Sequence, residues 1–129
     1  MELMITVSII ALLASMAIPS YRKAVERTYQ REAEDLLQTI YAGERAYFFV
    51  NAKYYQPVAT TDWTNIYMDN PNLSPTIPIT FSVTSATASV FTAQALRNND
   101  GSPCAGKIRT IDEGRNLGGN WIVGGCPIL

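Results

Sequence analysis

The chain has 129 residues, of which 47% are hydrophobic and 16% charged, with a formal net charge of −1. This length fits one domain, at most with an appendage. The near-neutral balance argues against the basic surface of a nucleic-acid-binding protein and against a disordered chain. Histidine is absent, which removes the commonest general base and the commonest metal ligand.

The first 21 residues are the most apolar part of the chain. Leu3 to Ile18 form an apolar run of 16 residues, and no charged residue occurs between Glu2 and Arg22. As a helix this run spans about 24 Å, which is short for an ordinary membrane anchor. It lacks the basic start and the cleavage site of a signal peptide. The rest of the chain is too small to enclose it as a core helix.

The remaining interpretation is a helix that lies first in a membrane and later in a protein assembly. Its basic flank consists of Arg22, Lys23 and Arg27. By the positive-inside rule this flank would keep that end in the cytoplasm, but the rule is a bias that other secretion routes override.

The helix is predicted to continue to residue 51, as a rod of about 75 Å. Small or apolar residues recur every three or four positions, which indicates an amphipathic helix. This predicted buried stripe is Val25, Tyr29, Ala33, Leu36, Ile40, Gly43, Tyr47 and Val50. The charged residues, including Glu26 and Glu44, are predicted to lie on the other faces. Pro19 is predicted to kink or locally unwind the helix.

The N-terminal motif resembles that of the type IV pilins. It consists of Glu2-Leu3-Met4-Ile5, an apolar stretch, and then Ala17-Ile18-Pro19-Ser20-Tyr21. Later segments resemble further parts of a pilin, in the expected order. The segments 44–49 and 53–55 resemble the end of the pilin helix and the loop that follows it, and 80–84 and 91–95 resemble the first strands of the sheet. Cys104 and Cys126 resemble the cysteines of the C-terminal disulfide region.

The resemblance implies a major pilin that polymerises through its helix into an extracellular filament of identical subunits. Residues 1–23 would be the membrane anchor and filament core, and residues 24–129 the amphipathic helix half with the head. Glu2 would pair with the positive N-terminus of a neighbouring subunit, and Pro19 would break the helix. A prepilin peptidase, an inner-membrane platform and an assembly ATPase are implied as partners, with no cofactor. A minor pilin or a type II secretion pseudopilin is the alternative.

The start of the sequence departs from the family pattern. Mature pilins usually begin with an N-methylated phenylalanine, and four residues precede the glutamate, whereas here only Met1 does. The basic leader with its glycine is also missing. We therefore expect either a sequence truncated by about three residues plus the leader, or a misassigned start.

The head is predicted to be an antiparallel sheet packed on the amphipathic helix half, which makes the fold class α+β. The long segment 52–78 is predicted to be a loop that packs down through Tyr54, Tyr55, Trp63, Ile66, Tyr67 and Leu73. Strands are predicted at 79–85, 88–96 and 107–111, with a hairpin connection at 84–88 and a short fourth strand at 121–123.

Cys104 and Cys126 are predicted to form a disulfide, as a cysteine pair outside the cytosol usually does. Their spacing is wrong for a CxxC redox or metal motif. Calcium ligation by Asp100, Asp112 and Glu113 is a minor alternative, because these residues lack regular ligand spacing. The sequon Asn72-Leu73-Ser74 is followed by Pro75 and is a weak glycosylation candidate. A membrane-anchored periplasmic enzyme is the second functional class, and it is disfavoured because no catalytic constellation occurs.

Overall fold

A long helix and a small antiparallel sheet make up the chain, in a computed structural model that describes residues 2–73, 77–121 and 126. Helix α1 spans Glu2–Asn51, and short 3₁₀-helices follow at Asp62–Ile66 and Pro71–Leu73. The strands are β1 (Ile79–Ala86), β2 (Phe91–Arg97), β3 (Ile108–Asp112) and β4 (Leu117–Gly119). They form an antiparallel sheet in the order β1-β2-β3-β4. The predicted α+β fold class is confirmed.

Helix α1 runs without interruption through Pro19, so the subunit shows no unwound stretch at the predicted break. The proline removes one N–H donor from the hydrogen-bond ladder and crowds the carbonyl four residues earlier, yet the helical turns on both sides persist. That the helix bends or unwinds at Pro19 during assembly stays a prediction.

The buried stripe of α1 is rotated by about one residue from the predicted one. Its members are Glu26, Ala33, Leu37, Ile40 and Glu44, of which only Ala33 and Ile40 were predicted. The predicted Tyr29, Leu36 and Tyr47 are partly buried and pack against the core, whereas Val50 is exposed. The prediction was wrong for Glu26 and Glu44 because it placed every charge on the solvent side, whereas the head supplies buried partners for both carboxylates.

The inner face of the sheet follows the predicted alternation. Ile79, Phe81 and Val83 of β1 and Phe91, Ala93 and Ala95 of β2 are all buried. Phe81 lies opposite Ala95, and Val83 opposite Ala93. With helix residues Ala33, Leu37 and Ile40 they form one hydrophobic core, so the second half of α1 is built into the head.

Two strand boundaries differ from the prediction by more than one residue, the start of β2 and the position of β4. The β1–β2 connection lies at 87–90, where the Thr87 hydroxyl accepts hydrogen bonds from the N–H groups of Ser89 and Val90. The fourth strand is Leu117–Gly119, and Trp121 follows it as a fully buried side chain whose backbone N–H donates to Ile108 O. The rest of the predicted fourth strand, residues 122 and 123, lies outside the described residues.

The segment 52–78 packs down only in part. Tyr54, Trp63 and Ile66 are buried, but Tyr67 and Leu73 are exposed, contrary to expectation. A glycine is required at position 43 because a Cβ there would collide with the carbonyl oxygen of Ile66. The close approach of α1 and the first 3₁₀-helix therefore explains the one glycine in the helix.

Candidate functional site

The N-terminal third of α1 is an apolar surface with no cover. Its large side chains are all exposed: Leu3, Met4, Ile5, Val7, Ile9, Ile10, Leu12, Leu13, Met16 and Ile18. By length and composition, α1 is long and apolar enough to cross a membrane, and none of its most apolar window is buried in the subunit. Exposed apolar patches this large are rare on soluble monomers and mark a membrane or protein interface.

The few polar side chains of this segment are already satisfied within the helix. The hydroxyls of Thr6, Ser8 and Ser15 donate to the carbonyl oxygens of Leu3, Met4 and Leu12 at 2.9, 2.7 and 2.7 Å. A hydroxyl bonded in this way costs less to transfer into an apolar environment. The segment is therefore compatible with burial all round.

Glu2 is the exception in this surface. It lies in the first turn of α1 and is exposed. A helix N-terminus favours an anion there, but a carboxylate buried in an apolar assembly needs a positive partner. Its predicted pairing with a neighbouring subunit stays a prediction, as does the role of Pro19 in assembly.

A buried ion pair fixes the helix to the sheet where the apolar surface ends. Nη2 of Arg97 donates to Glu26 Oε1 at 2.8 Å, and the two side chains are 2% and 8% exposed. Arg97 also donates to the Asp100 carboxylate and to Pro78 O, while Ser102 Oγ donates to Glu26. The cost of burying both charges is offset by this complete set of hydrogen bonds.

This network was missed by the sequence analysis, although a signal for it existed. Arg97 continues the buried alternation of Phe91, Ala93 and Ala95 along β2. A cation at an inward-facing position requires an anion on the element packed against it. The acidic residues of α1 were the candidates for that partner.

Two further contacts hold the second half of α1 to the head. Glu34 forms an ion pair with Arg109 of β3 at 2.8 Å. The fully buried Glu44 accepts a hydrogen bond from the backbone N–H of Tyr55 at 2.9 Å. Burial raises the pKa of Glu44 to about 7, and the Tyr55 bond offsets part of that rise.

Cys104 and Cys126 are joined as a disulfide, and both are buried. The bridge closes a loop that contains β3 and β4, so it ties the last part of the sheet to the turn after β2.

Two of the three residues considered for calcium, and the asparagine considered for glycosylation, have internal partners. Asp112 accepts bonds from Asn116, and Asp100 from Arg97. Within the described ranges, no group of three or more acidic, histidine or cysteine side chains is arranged to hold a metal ion. The Asn72 amide bonds both the N–H and the carbonyl of Phe81, at 2.7 and 2.9 Å, and so covers the edge of β1.

No protein-family model matches the chain. It is similar to the type IV major pilin protein PilA of Myxococcus xanthus (strain DK1622), with 40% identity over 53 residues. The match covers 41% of this chain and 24% of the relative, about a quarter of that protein's length. Over the matched segment the chain is similar to a type IV major pilin, and its long N-terminal helix followed by an antiparallel sheet is a pilin-like arrangement.

Proposed function

We propose that the chain is a structural subunit, a major pilin, that polymerises through its apolar N-terminal helix into an extracellular helical filament. The observation that carries the proposal is the uncovered apolar surface of residues 3–18 on a helix whose other half is built into a folded head. A surface of this kind needs an apolar environment on every side. A membrane supplies it before assembly, and the same helices of other subunits supply it in a fibre.

The proposal divides the chain at the point where the head begins to cover the helix. Residues 1–23 serve as the anchor in the inner membrane and then as the filament core. Residues 24–129 form the part that stays in water. The position of Glu26, the first buried residue of α1, supports this division.

Glu2 and Pro19 have the assembly roles that the pilin resemblance implies. Glu2 pairs with the positive N-terminus of a neighbour, which removes an isolated charge from the filament core and sets the subunit register. Pro19 lacks one backbone donor and weakens the helix locally. The spine can then bend or extend there as subunits pack.

The proposed partners are other copies of this chain, the inner membrane, a prepilin peptidase and an assembly platform with its ATPase. The similarity to a major pilin points to a structural protein rather than an enzyme. Methylation of the N-terminus, adhesion and motility are further expectations of the same resemblance.

Electron microscopy of material sheared from cells that express the chain tests the proposal. We expect long thin fibres whose protein is this chain by mass spectrometry, and no such fibres from cells lacking it. The mass of the N-terminal peptide identifies the mature start. A chain found only in the membrane fraction, with no fibres, would contradict the major pilin and favour a minor pilin or a type II secretion pseudopilin.

A further inference from the structure

A row of unpaired cations follows the apolar segment of α1. Arg22, Lys23, Arg27 and Arg31, here called the basic collar, are exposed or partly exposed. Among the described residues, none of the four forms an ion pair within 4.0 Å; the pairs found there use Arg97 and Arg109. The collar therefore presents positive charge to whatever surrounds the helix.

Burial of Glu26 is what makes the collar positive. It is the one acidic residue between positions 19 and 31 of the sequence. It is buried against the head, where Arg97 and Ser102 donate hydrogen bonds to its carboxylate. Because Glu26 is buried, the exposed charges between positions 19 and 31 are all cationic, and the first exposed carboxylate after position 19 of the helix is that of Glu32.

This arrangement costs helix stability within the subunit alone. Lys23, Arg27 and Arg31 are spaced at i, i+4 and i+8, so they lie along one face, and like charges at this spacing repel. Higher on the helix, by contrast, Glu34 is paired with Arg109. Lys23 and Arg27 have no exposed acidic residue one turn away, and the exposed Asp35 lies at i+4 only from Arg31. The lower part of the row therefore fits an anionic partner outside the subunit.

We propose that the basic collar binds the headgroups of anionic phospholipids in the leaflet that faces the head. This inference rests on the proposed membrane stage of the chain. Arg22 lies four residues after Ile18, about 6 Å along the helix, which is the headgroup level if residues 3–18 lie in hydrocarbon. Arg27 lies about 14 Å past Ile18, and its side chain points back toward the N-terminus and hence toward the same surface. Arg31, about 20 Å past Ile18, acts on that surface only through its charge.

A groove beside the collar adds a second feature at this level. It encloses about 370 Å³ between α1 and the loop after β2, and Tyr21, Arg22, Val25 and Pro103 are among its walls. Tyrosine and arginine at the end of an apolar span are typical of a membrane interface. The nearby Asp100 carboxylate is compensated by Arg97 Nη1 at 2.9 Å and by the N–H of Ser102, so it opposes a phosphate only weakly.

The test uses the full chain in neutral detergent, titrated with dioctanoyl-phosphatidylglycerol or dioctanoyl-phosphatidylcholine and followed by native mass spectrometry. We expect preferential binding of the anionic lipid, weakened by salt. The triple variant Lys23→Gln, Arg27→Gln, Arg31→Gln should reduce that preference by about fivefold for each cation removed. The matched control removes three cations from the head: Lys53→Gln, Lys107→Gln, Arg115→Gln.

Loss of the preference in the collar variant but not in the control supports the proposal. Equal binding of the two lipids by the unchanged chain, or an undiminished preference in the collar variant, overturns it. A collar variant that keeps its lipid preference but forms no fibres would indicate that the collar binds acidic groups of a second copy of the chain. That result would also overturn the lipid proposal. Recovery of the chain in the membrane fraction and of fibres from sheared cells is scored separately, so failure of the proposed function is distinguishable.

Discussion

The carboxyl group of Glu44 lies in the core between α1 and the loop that follows it. It has no cation among the described residues; its Oε2 accepts the Tyr55 N–H, and Oε1 has no hydrogen-bond partner there. An ionised carboxylate in this position loses hydration that one hydrogen bond does not replace. This is why the pKa of Glu44 rises from 4.5 to about 7.

We expect the head to lose stability as the pH rises from about 5 to 8. Because the pKa of Glu44 is higher in the folded state, that state binds the proton more tightly, so the stabilisation is complete below pH 4.5 and is lost as the pH rises through 7. The loss should reach at most about 3 kcal/mol. Unfolding of the full chain in neutral detergent, followed by the fluorescence of the buried Trp63 and Trp121, measures it.

Glu44→Gln is the matched control for this pH dependence, since the amide oxygen still accepts the Tyr55 N–H but does not titrate. The variant should be more stable than the unchanged chain at pH 8, and its stability should vary less between pH 5 and 8. The pKa values of Asp62, Asp100 and Asp112 are lowered, so their contributions are lost only at more acidic pH. An equal pH dependence in both proteins would exclude Glu44 as the cause.

A second prediction at the residue scale concerns the buried ion pair of Glu26 and Arg97, and it tests the removal of one partner. Arg97→Met leaves the Glu26 carboxylate buried without its cation and should destabilise the head by about 3–5 kcal/mol. The double variant Glu26→Met, Arg97→Met removes both charges and should recover much of that loss. Denaturant unfolding of the three proteins measures the difference. A double variant no more stable than the single one would show that packing, not charge, dominates the site.

At the scale of elements, the disulfide holds the part of the sheet with the weakest packing. Strand β4 has three residues, none of them buried, and in β3 only Ile111 is buried. These strands add little apolar burial of their own. A covalent tie between Cys104 and Cys126 limits the disorder that this region gains on unfolding.

Cys126→Ser should lower the stability of the head by about 3 kcal/mol in the chain-entropy model. The melting temperature of the full chain in detergent, followed at Trp63 and Trp121, measures the effect. The unchanged protein in reducing agent is the matched comparison, since it loses the bond without a change in sequence. A melting temperature that neither treatment moves would show that the bridge adds no stability.

The elements themselves were largely predictable from the sequence, because their signals are local. The alternation of apolar and polar residues along the chain predicted the inner faces of β1 and β2. The uncharged apolar run, followed by apolar residues at every third or fourth position, predicted α1. The rotation of the buried stripe was not predictable from α1 alone. It depends on Arg97 and on the backbone of Tyr55, which reach the helix from more distant parts of the chain.

At the scale of the whole molecule, the head covers the second half of the helix and leaves the apolar first half exposed. The second half is buried through Ala33, Leu37 and Ile40, while the large apolar side chains of the first half are exposed. The same division explains why the apolar surface of α1 could be predicted from the sequence but the positive charge beside it could not. An uncovered apolar run is a property of composition, whereas the cationic collar arises only when the fold buries Glu26.

Glu2→Ala should block or slow filament formation while leaving the head folded. A charge in an apolar filament core is tolerated only with a partner, and its removal takes away the pairing that sets subunit register. Because Glu2 lies far along α1 from the core, Trp63 and Trp121 should report an unchanged melting temperature. The measurement is the amount of sheared filament per cell, with the chain still present in the membrane fraction.

Glu32→Ala provides the matched control, since Glu32 is an exposed carboxylate of the same helix outside the apolar surface. It should assemble normally. Glu2→Gln separates charge from shape, because the amide keeps the size of the side chain and cannot pair with an N-terminal amine as an ion. If Glu2→Gln assembles as well as the unchanged chain, hydrogen bonding suffices at this position. If Glu2→Ala does so too, the apolar surface alone drives assembly and the charge pairing plays no part in it.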